Sequence, residues 1–523
     1  MSDAADLDHD RLNSLWALVD YHANAHPLTQ AMMFLDRRTS YGELYAAVLA
    51  VSDRLTADGI GRGARVGYVG KNCDHYFVML FALSRIGAVM VPINWRLAPE
   101  EMAYIVADST MVRLFTDDEY LSAATSLTHD AGLPPARHIS TLTSVSPDRP
   151  SGTDMAIAPQ PDDVVFQVYT SGTTGRPKGA LLTNANLLGL RAPGYRAGLK
   201  WFPNRYSSTA IVLPIAHIAG TAYALFGFYA GGTVAILREF DPGEVLRLIE
   251  QESITHLLLA PSALQMVAEH PAVATTNLSC LAIITYGAAP MPAALLHRAL
   301  ALFGCGFVQM YGMTEAAGGV VALQPEDHLA AIGDRLRSAG RAMPSVEVDI
   351  VDEGWKSLPT GDIGEIVVRS PSVMPGYWRR PDATEEILRP DGWMRTGDIG
   401  RMDADGYVYV LDRAKDMIIS GGENIYPAEV ENAIFGHPAI ADVAVVSAPS
   451  DKWGETVVAV IVPCGDHAPS LAELYGWLDG RLARFKFPKR IDLVEELPRN
   501  AGNKVIRRLL RDRYWQQDTN EAQ

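Results

Sequence analysis

Between Tyr169 and Gly179 the chain reads Tyr-Thr-Ser-Gly-Thr-Thr-Gly-Arg-Pro-Lys-Gly. Glycines at Gly172 and Gly175 let backbone N–H groups approach an anion closely, and the hydroxyls of Thr170, Ser171, Thr173 and Thr174 add donors. Lys178 brings a point charge. Such a loop suits a polyphosphate. It is not a Walker A loop, because no Gly-Lys-Ser/Thr closes it. Composition alone leaves a polar surface turn open.

Other positions carry chemistry at a distance in sequence. In Gln309-Met-Tyr-Gly-Met-Thr-Glu315, Tyr311 offers an aromatic face, Thr314 a hydroxyl, and Glu315 a hard oxygen ligand of the kind magnesium prefers. By itself Glu315 also reads as a solvated carboxylate at a helix start. Trp393-Met-Arg-Thr-Gly-Asp398 is expected to place Asp398 after a tight turn, where its carboxylate can accept both hydroxyls of a ribose. Arg413 can reach ribose or phosphate with its fork of donors, and the plainer reading of the pair is a salt bridge. His217, in Leu213-Pro-Ile-Ala-His-Ile-Ala-Gly220, reads first as a core histidine. Lys504 stands among Arg507, Arg508 and Arg511 and reads first as a solvated lysine.

The elements that must position these groups alternate between strand and helix. Arg65 to Gly70 and Ala88 to Ile93 are predicted strands around a helix from Tyr76 to Ile86, a pattern that implies parallel βαβ units. A strand from Asp163 to Thr170 runs into the loop, and a helix from Asn184 to Leu190 is expected to follow and aim its N-terminus at an anion. Further strands are predicted at 208–213, 232–237, 254–260 and 281–286. From about Val346 the texture changes to short strands with glycine turns, at 347–351, 364–369 and 406–411. The last part holds predicted helices at 428–435 and 470–484 and strands at 443–446 and 456–462.

Composition bounds the partners. Of 523 residues, 48% are hydrophobic and 20% charged, which fits a globular chain of two or more domains. A formal net charge of −16 disfavours nucleic acid and anionic membrane as extended partners. The four cysteines form no CxxC pair, so a zinc site or disulfide framework is not expected and a reducing cytoplasm fits. The acidic start, Met1 to Asp10, lacks the apolar core of a signal peptide. The final residues, Glu521-Ala-Gln523, are not a peroxisomal tripeptide. No window reads as a membrane span. A homo-oligomer is left open.

Taken in order, these motifs resemble the adenylate-forming superfamily of acyl-CoA synthetases, nonribosomal-peptide adenylation domains and beetle luciferases. The resemblance covers roughly residues 10 to 515 and is nearest to bacterial AMP-forming fatty-acid and aryl-acid CoA ligases. It implies an α/β fold: a large N-terminal domain over 1–412, built of layered sheets plus a small β-barrel-like part, and a small mobile α+β domain over 413–523 that hinges at Lys415. It implies ATP, Mg2+ and CoA as co-reactants of a carboxylic acid.

The resemblance also implies roles. Thr170, Ser171, Gly172, Thr173, Thr174, Gly175 and Lys178 would hold the β- and γ-phosphates. Gly287, Ala288 and Ala289 would line the adenine pocket with Tyr311 and Gly312, and Asp398 and Arg413 would clamp the ribose. Thr314 would meet the α-phosphate, Glu315 would hold magnesium, and Lys504 would drive adenylation. Asn503 stands before Lys504 where a glycine is usual. His217 would sit near the acyl carboxylate, and Ala216 replaces the aromatic that often precedes it. Ala216, Ala219, Ala316, Ala317 and Gly318 would leave room for the acyl group. Arg96, Gly421, Gly422, Trp453 and Phe485 would receive CoA. The competing readings are an enzyme that hands the acyl group to a carrier protein or an amine, and an inactive nucleotide-binding or scaffold descendant. Luciferase-like oxidation has no specific support.

Overall fold

The structure is a computed structural model that describes residues 7–143, 158–170, 176–289, 291–329, 333–413, 416–420, 423–450, 452–465, 467–499 and 504–521. Among these residues the strands form four sheets. A nine-stranded sheet has a parallel centre running through Ile283–Gly287, His256–Leu259, Ser208–Ile211 and Thr233–Ile236. Gly306–Met313 joins it in parallel, and Gly318–Leu323 folds back on that strand antiparallel. A seven-stranded sheet holds Val164–Thr170, Val89–Ile93 and Arg65–Val69 at its centre. The βαβ expectation is met in Arg65–Val69 and Val89–Ile93, which pair in parallel around the helix Asp74–Arg85.

Two helices explain why the sheets stack. Asp74–Arg85 is buried at every position except His75, and Ile218–Ala230 at every position except Ala219. A helix that is apolar all round must be covered on all sides. Both lie in one core that joins Met32 and Val308 of the nine-stranded sheet to Val66 and Phe166 of the seven-stranded sheet. Amphipathic helices then cover the outer faces: Pro242–Gln251, Pro261–Glu269 and Ala293–Phe303 on the first sheet, Pro99–Ser109 and Leu121–Asp130 on the second. The result is alternating helix and sheet layers.

Next in sequence comes an antiparallel sheet of four strands, Glu347–Val351, Gly364–Arg369, Trp393–Met402 and Val408–Arg413. The expected boundary after Asp412 falls one residue before the end of its last strand. The C-terminal part centres on a hairpin of Ile440–Ser450 and Gly454–Pro463. Arg490–Leu493 adds in parallel, and the helices Pro427–Ile434, Leu471–Leu478 and Arg507–Glu521 complete it.

Three local expectations need correction. Between the glycine-rich loop and the helix Asn184–Leu188 lies a strand, Lys178–Thr183, paired antiparallel with Val164–Thr170. The loop therefore tips a β-hairpin, and no helix N-terminus follows it directly. Asp398 lies inside the ten-residue strand Trp393–Met402; the expected turn is only a local distortion at Gly397, whose φ is +71°. The helix expected to reach Arg484 ends at Leu478, because Gly480 adopts φ +76° and a short 3-10 turn takes over at Arg484–Lys486.

Candidate active site

A cleft of about 2710 Å³ opens where the two large sheets, the four-stranded sheet and the C-terminal part meet. Its walls contain Thr170, Lys178, His217, Gly287, Ala288, Ala289, Tyr311, Gly312, Thr314, Glu315, Asp398, Arg413 and Lys504. Residues from all four parts of the sequence thus share one cavity. Ser171, Gly172, Thr173, Thr174 and Gly175 of the loop lie outside the described residues, as do Lys415, Gly421 and Gly422.

The hairpin delivers the ends of the loop to the cleft. Thr170 and Lys178 are direct partners in the ladder. Tyr169 anchors the base by donating to Asp108 at 2.8 Å, and Trp378 donates its backbone N–H to the Gly179 carbonyl at 2.8 Å. Thr170 Oγ1 lies 3.5 Å from Glu315 Oε1, so the loop springs from a point beside that carboxylate.

Glu315 is presented by a tight reversal. The strand Gly306–Met313 ends in a 3-10 turn over Thr314–Ala316, Ala317 takes a left-handed φ of +53°, and the chain returns as Gly318–Leu323. Gly312 permits this: a Cβ there would come within 1.9 Å of the Gly318 carbonyl oxygen. Gly287 is required for a similar reason, since its Cβ would meet the Met310 carbonyl oxygen at 2.3 Å. Beside Glu315, Tyr377 donates its hydroxyl to Oε1 at 2.7 Å. Tyr377 went unnoticed in the sequence because no pattern around it marks chemistry. It arrives through pairing of Gly376–Tyr377 with Leu181 and Ala180 at the sheet edge.

Asp398 is nearly sealed from solvent and fully engaged. Tyr311 donates to Oδ2 at 2.6 Å, Arg413 Nε reaches Oδ1 at 2.8 Å, and Thr396 Oγ1 accepts from the Asp398 backbone N–H at 3.1 Å. Burial raises its pKa above the ordinary carboxylate value, and the nearby Arg413 and the Tyr311 hydrogen bond oppose that rise. The salt bridge expected as the plainer reading is therefore present, and it stands inside the cleft.

His217 caps the helix Ile218–Ala230, with Nδ1 accepting from the Ala219 N–H at 3.2 Å. That bond assigns the proton to Nε2. Burial, with Lys504 adding repulsion, pulls the ring down to about 4, so it is neutral near pH 7. Lys504 is exposed to the water of the cleft, yet protein surrounds it closely enough for desolvation to lower its pKa. Arg413 lowers it further while Asp398 and Glu315 raise it.

Ala216, Ala219, Ala316, Ala317 and Gly318 line the same cavity, backed by Trp201, Phe202, Tyr223 and Phe226. Arg96 lines it too, stacked 4.7 Å from the Trp95 ring centroid. Trp453 and Phe485 do not; they are 45% and 47% exposed on the C-terminal part. In the same cleft wall, Arg507 binds Glu431 at 2.6 Å and lies 3.9 Å from Asp412 and 3.8 Å from Asp416. In the sequence Arg507 is marked only as one of the basic residues around Lys504. The structure makes it the cation among three carboxylates beside the 412–416 crossover.

Comparison with known proteins follows this geometry. Residues 19–378 match the AMP-binding enzyme family, and residues 429–504 match the AMP-binding enzyme C-terminal domain. The fatty acid–[acyl-carrier-protein] ligase ScoC of Streptomyces coeruleorubidus is 37% identical over 97% of this chain and 98% of its own length. A feruloyl-CoA synthase of an Amycolatopsis species is 39% identical over 91% of this chain and 94% of its own. Among solved structures, the o-succinylbenzoate CoA synthetase of Bacillus subtilis with its acyl-adenylate intermediate superposes with a TM-score of 0.83. It is 30% identical and covers 95% of this chain and 98% of its own. The match extends through both parts of the chain, and the chain belongs to the family of AMP-binding enzymes.

Proposed function

We propose that the protein is an AMP-forming carboxylate–CoA ligase. Acid and ATP give acyl-adenylate and pyrophosphate, and the CoA thiol then attacks the mixed anhydride and releases AMP. The carrying observation is the convergence of Lys504, from the C-terminal part, with Thr314, Glu315, Asp398, Arg413 and His217 in one cleft.

The chemistry follows from placement. The substrate carboxylate attacks the α-phosphorus and pyrophosphate leaves in line. Negative charge on the pentavalent centre is offset by Lys504, fixed by the fold before reaction begins. In this reading Thr314 donates to the α-phosphate, and Asp398 with Arg413 holds the ribose. The hairpin loop takes the leaving pyrophosphate between Thr170 and Lys178. His217, neutral with its proton on Nε2, is a hydrogen-bond donor for the acyl carboxylate.

Glu315 fits a magnesium site of the kind that uses one carboxylate and substrate phosphates, since its oxygens face the cleft beside the loop. Among the described residues no group of three or more acidic, histidine or cysteine side chains could form a dedicated metal cage. Bound there, magnesium would neutralise charge on the β- and γ-phosphates.

For the thioester step we propose rotation of the 413–523 domain about Lys415, which would bring Gly421 and Gly422 to the acyl-adenylate and let Arg96, Trp453 and Phe485 receive the nucleotide of CoA. All four cysteines are free thiols, which suits a reducing compartment and supports work in the cytoplasm. Transfer to a carrier protein is the second reading, favoured by the likeness to ScoC. A pyrophosphate-release screen over a panel of carboxylic acids, with CoA and with a holo carrier protein as acceptors, tests both. Turnover beyond the first acyl-adenylate only with CoA is the expected result, and turnover only with the carrier overturns CoA as acceptor.

A further inference from the structure

Arg191 stands in the wall of the acyl pocket, where a hydrocarbon chain would have no use for a cation. It opens the short helix Arg191–Arg196 and lines the same cleft as His217, Ala219 and Ala316. Its Nη2 donates to the Ala222 carbonyl at 2.9 Å, and the guanidinium lies 4.8 Å from the Phe226 ring centroid. Nε is sealed from solvent and has no hydrogen-bond partner among the described residues.

Among the described residues no carboxylate acts on this charge. The ionisable groups that bear on Arg191 are Tyr195 and Tyr229, and no carboxylate is among them. Tyr195 donates to the Pro203 carbonyl at 2.6 Å, and the Tyr229 hydroxyl is engaged with His9 Nδ1 at 2.8 Å. Burial pulls Arg191 down to about 10, which leaves it a cation at neutral pH. A desolvated cation without an opposite charge beside it is costly, and a ligand that brings a carboxylate to the guanidinium removes that cost.

Resting on the adenylation reading above, we infer that Arg191 recognises a second acidic group at the far end of the substrate, so that the acid activated is a dicarboxylic acid. From His217 at the helix start to Ala222 is roughly 7 Å at 1.5 Å per residue, so an acid of medium length spans the distance with one carboxylate at each end. A fork of guanidinium donors meets a carboxylate in two hydrogen bonds. A site built to bond such a group discriminates strongly against analogues lacking it.

The test is pyrophosphate release by the full-length protein with a length series of α,ω-dicarboxylic acids, each paired with the monocarboxylic acid of equal carbon count. At the best length, kcat/KM for the diacid is expected to exceed that of its partner by at least about tenfold, a factor that corresponds to about 1.4 kcal/mol. Arg191→Met is expected to abolish or reverse that preference, read as the ratio of diacid to monoacid kcat/KM within the variant. Wild-type preference for the monoacid at every length overturns the inference, with or without a folded variant. An Arg191→Met preference equal to that of wild type overturns the role of Arg191. Pyrophosphate with no acid at all overturns the adenylation reading and this inference with it.

Discussion

Tyr377 and Glu315, 62 residues apart, meet through a 2.7 Å hydrogen bond from the phenol to the carboxylate. Glu315 is carried by the turn that ends a strand of the nine-stranded sheet, and Tyr377 by the edge of the seven-stranded sheet. The bond ties the two sheets together beside the glycine-rich loop. Tyr377→Phe removes one hydrogen bond, worth about 0.5–1.5 kcal/mol net. The expected result is a rise of up to about tenfold in the magnesium concentration that supports half-maximal pyrophosphate release. An unchanged magnesium requirement would detach Glu315 from the metal.

Lys504 should matter to one half-reaction only. Lys504→Ala is expected to slow acyl-adenylate formation by roughly 10²–10³, by analogy with losing one preorganised donor to the transition state. Thioester formation from preformed acyl-adenylate and CoA should be spared. Single-turnover assays of the two steps check this, and equal losses in both would contradict the placement of Lys504 over the adenylation site.

The depressed pKa of His217 makes a prediction about pH. Its ring is held at about 4, so it stays neutral and does not change charge in the neutral range. Between about pH 5.5 and 8, where an ordinary histidine titrates, the acid dependence of kcat/KM should show no limb that belongs to His217. His217→Asn should lower kcat/KM for the acid while leaving the shape of the profile unchanged. A limb near pH 6.5 that vanishes in the variant would mean the ring is less buried during turnover.

Asp412 links stability to pH at the crossover. Its carboxylate accepts from the backbone N–H groups of Arg413 and Ala428, each at 2.7 Å, but burial dominates and raises its pKa to about 6. The unfolded value is about 3.9. Between these values the native state binds the extra proton, so the contribution of Asp412 is greatest below about pH 4 and is lost as pH rises through about 6. Two pKa units correspond to roughly 2–3 kcal/mol. Asp412→Asn carries no titration, so the stability of wild type relative to the variant should rise as pH falls from 7 to 4. Denaturant melts at several pH values measure it, and a constant difference would show that the carboxyl is not perturbed.

How much of this was legible differs from residue to residue. Thr170, Tyr311, Glu315, Asp398 and Lys504 could be named because their types and order form a linear signature. The structure gathers their described members into one cleft. Parallel units such as Arg65–Val69 and Val89–Ile93 were readable because apolar runs alternating with a helical period are local. The end of the helix at Leu478 was marked by Gly480, which the apolar pattern around it masked.

The sequence by itself determined the family, the order of the motifs and the reaction they imply, since each rests on neighbouring residues and their chemistry. Tertiary structure alone decided the rest. That the glycine-rich loop joins two paired strands depends on pairing across it. That Tyr377 supports Glu315, Arg507 sits among Asp412, Asp416 and Glu431, and Arg191 in the cleft wall has no carboxylate acting on it among the described residues depends on burial and register between distant segments. Those properties arise only when sheets pack, because hydrogen-bond partners and the local dielectric are set by whatever chain segment arrives next to a side chain.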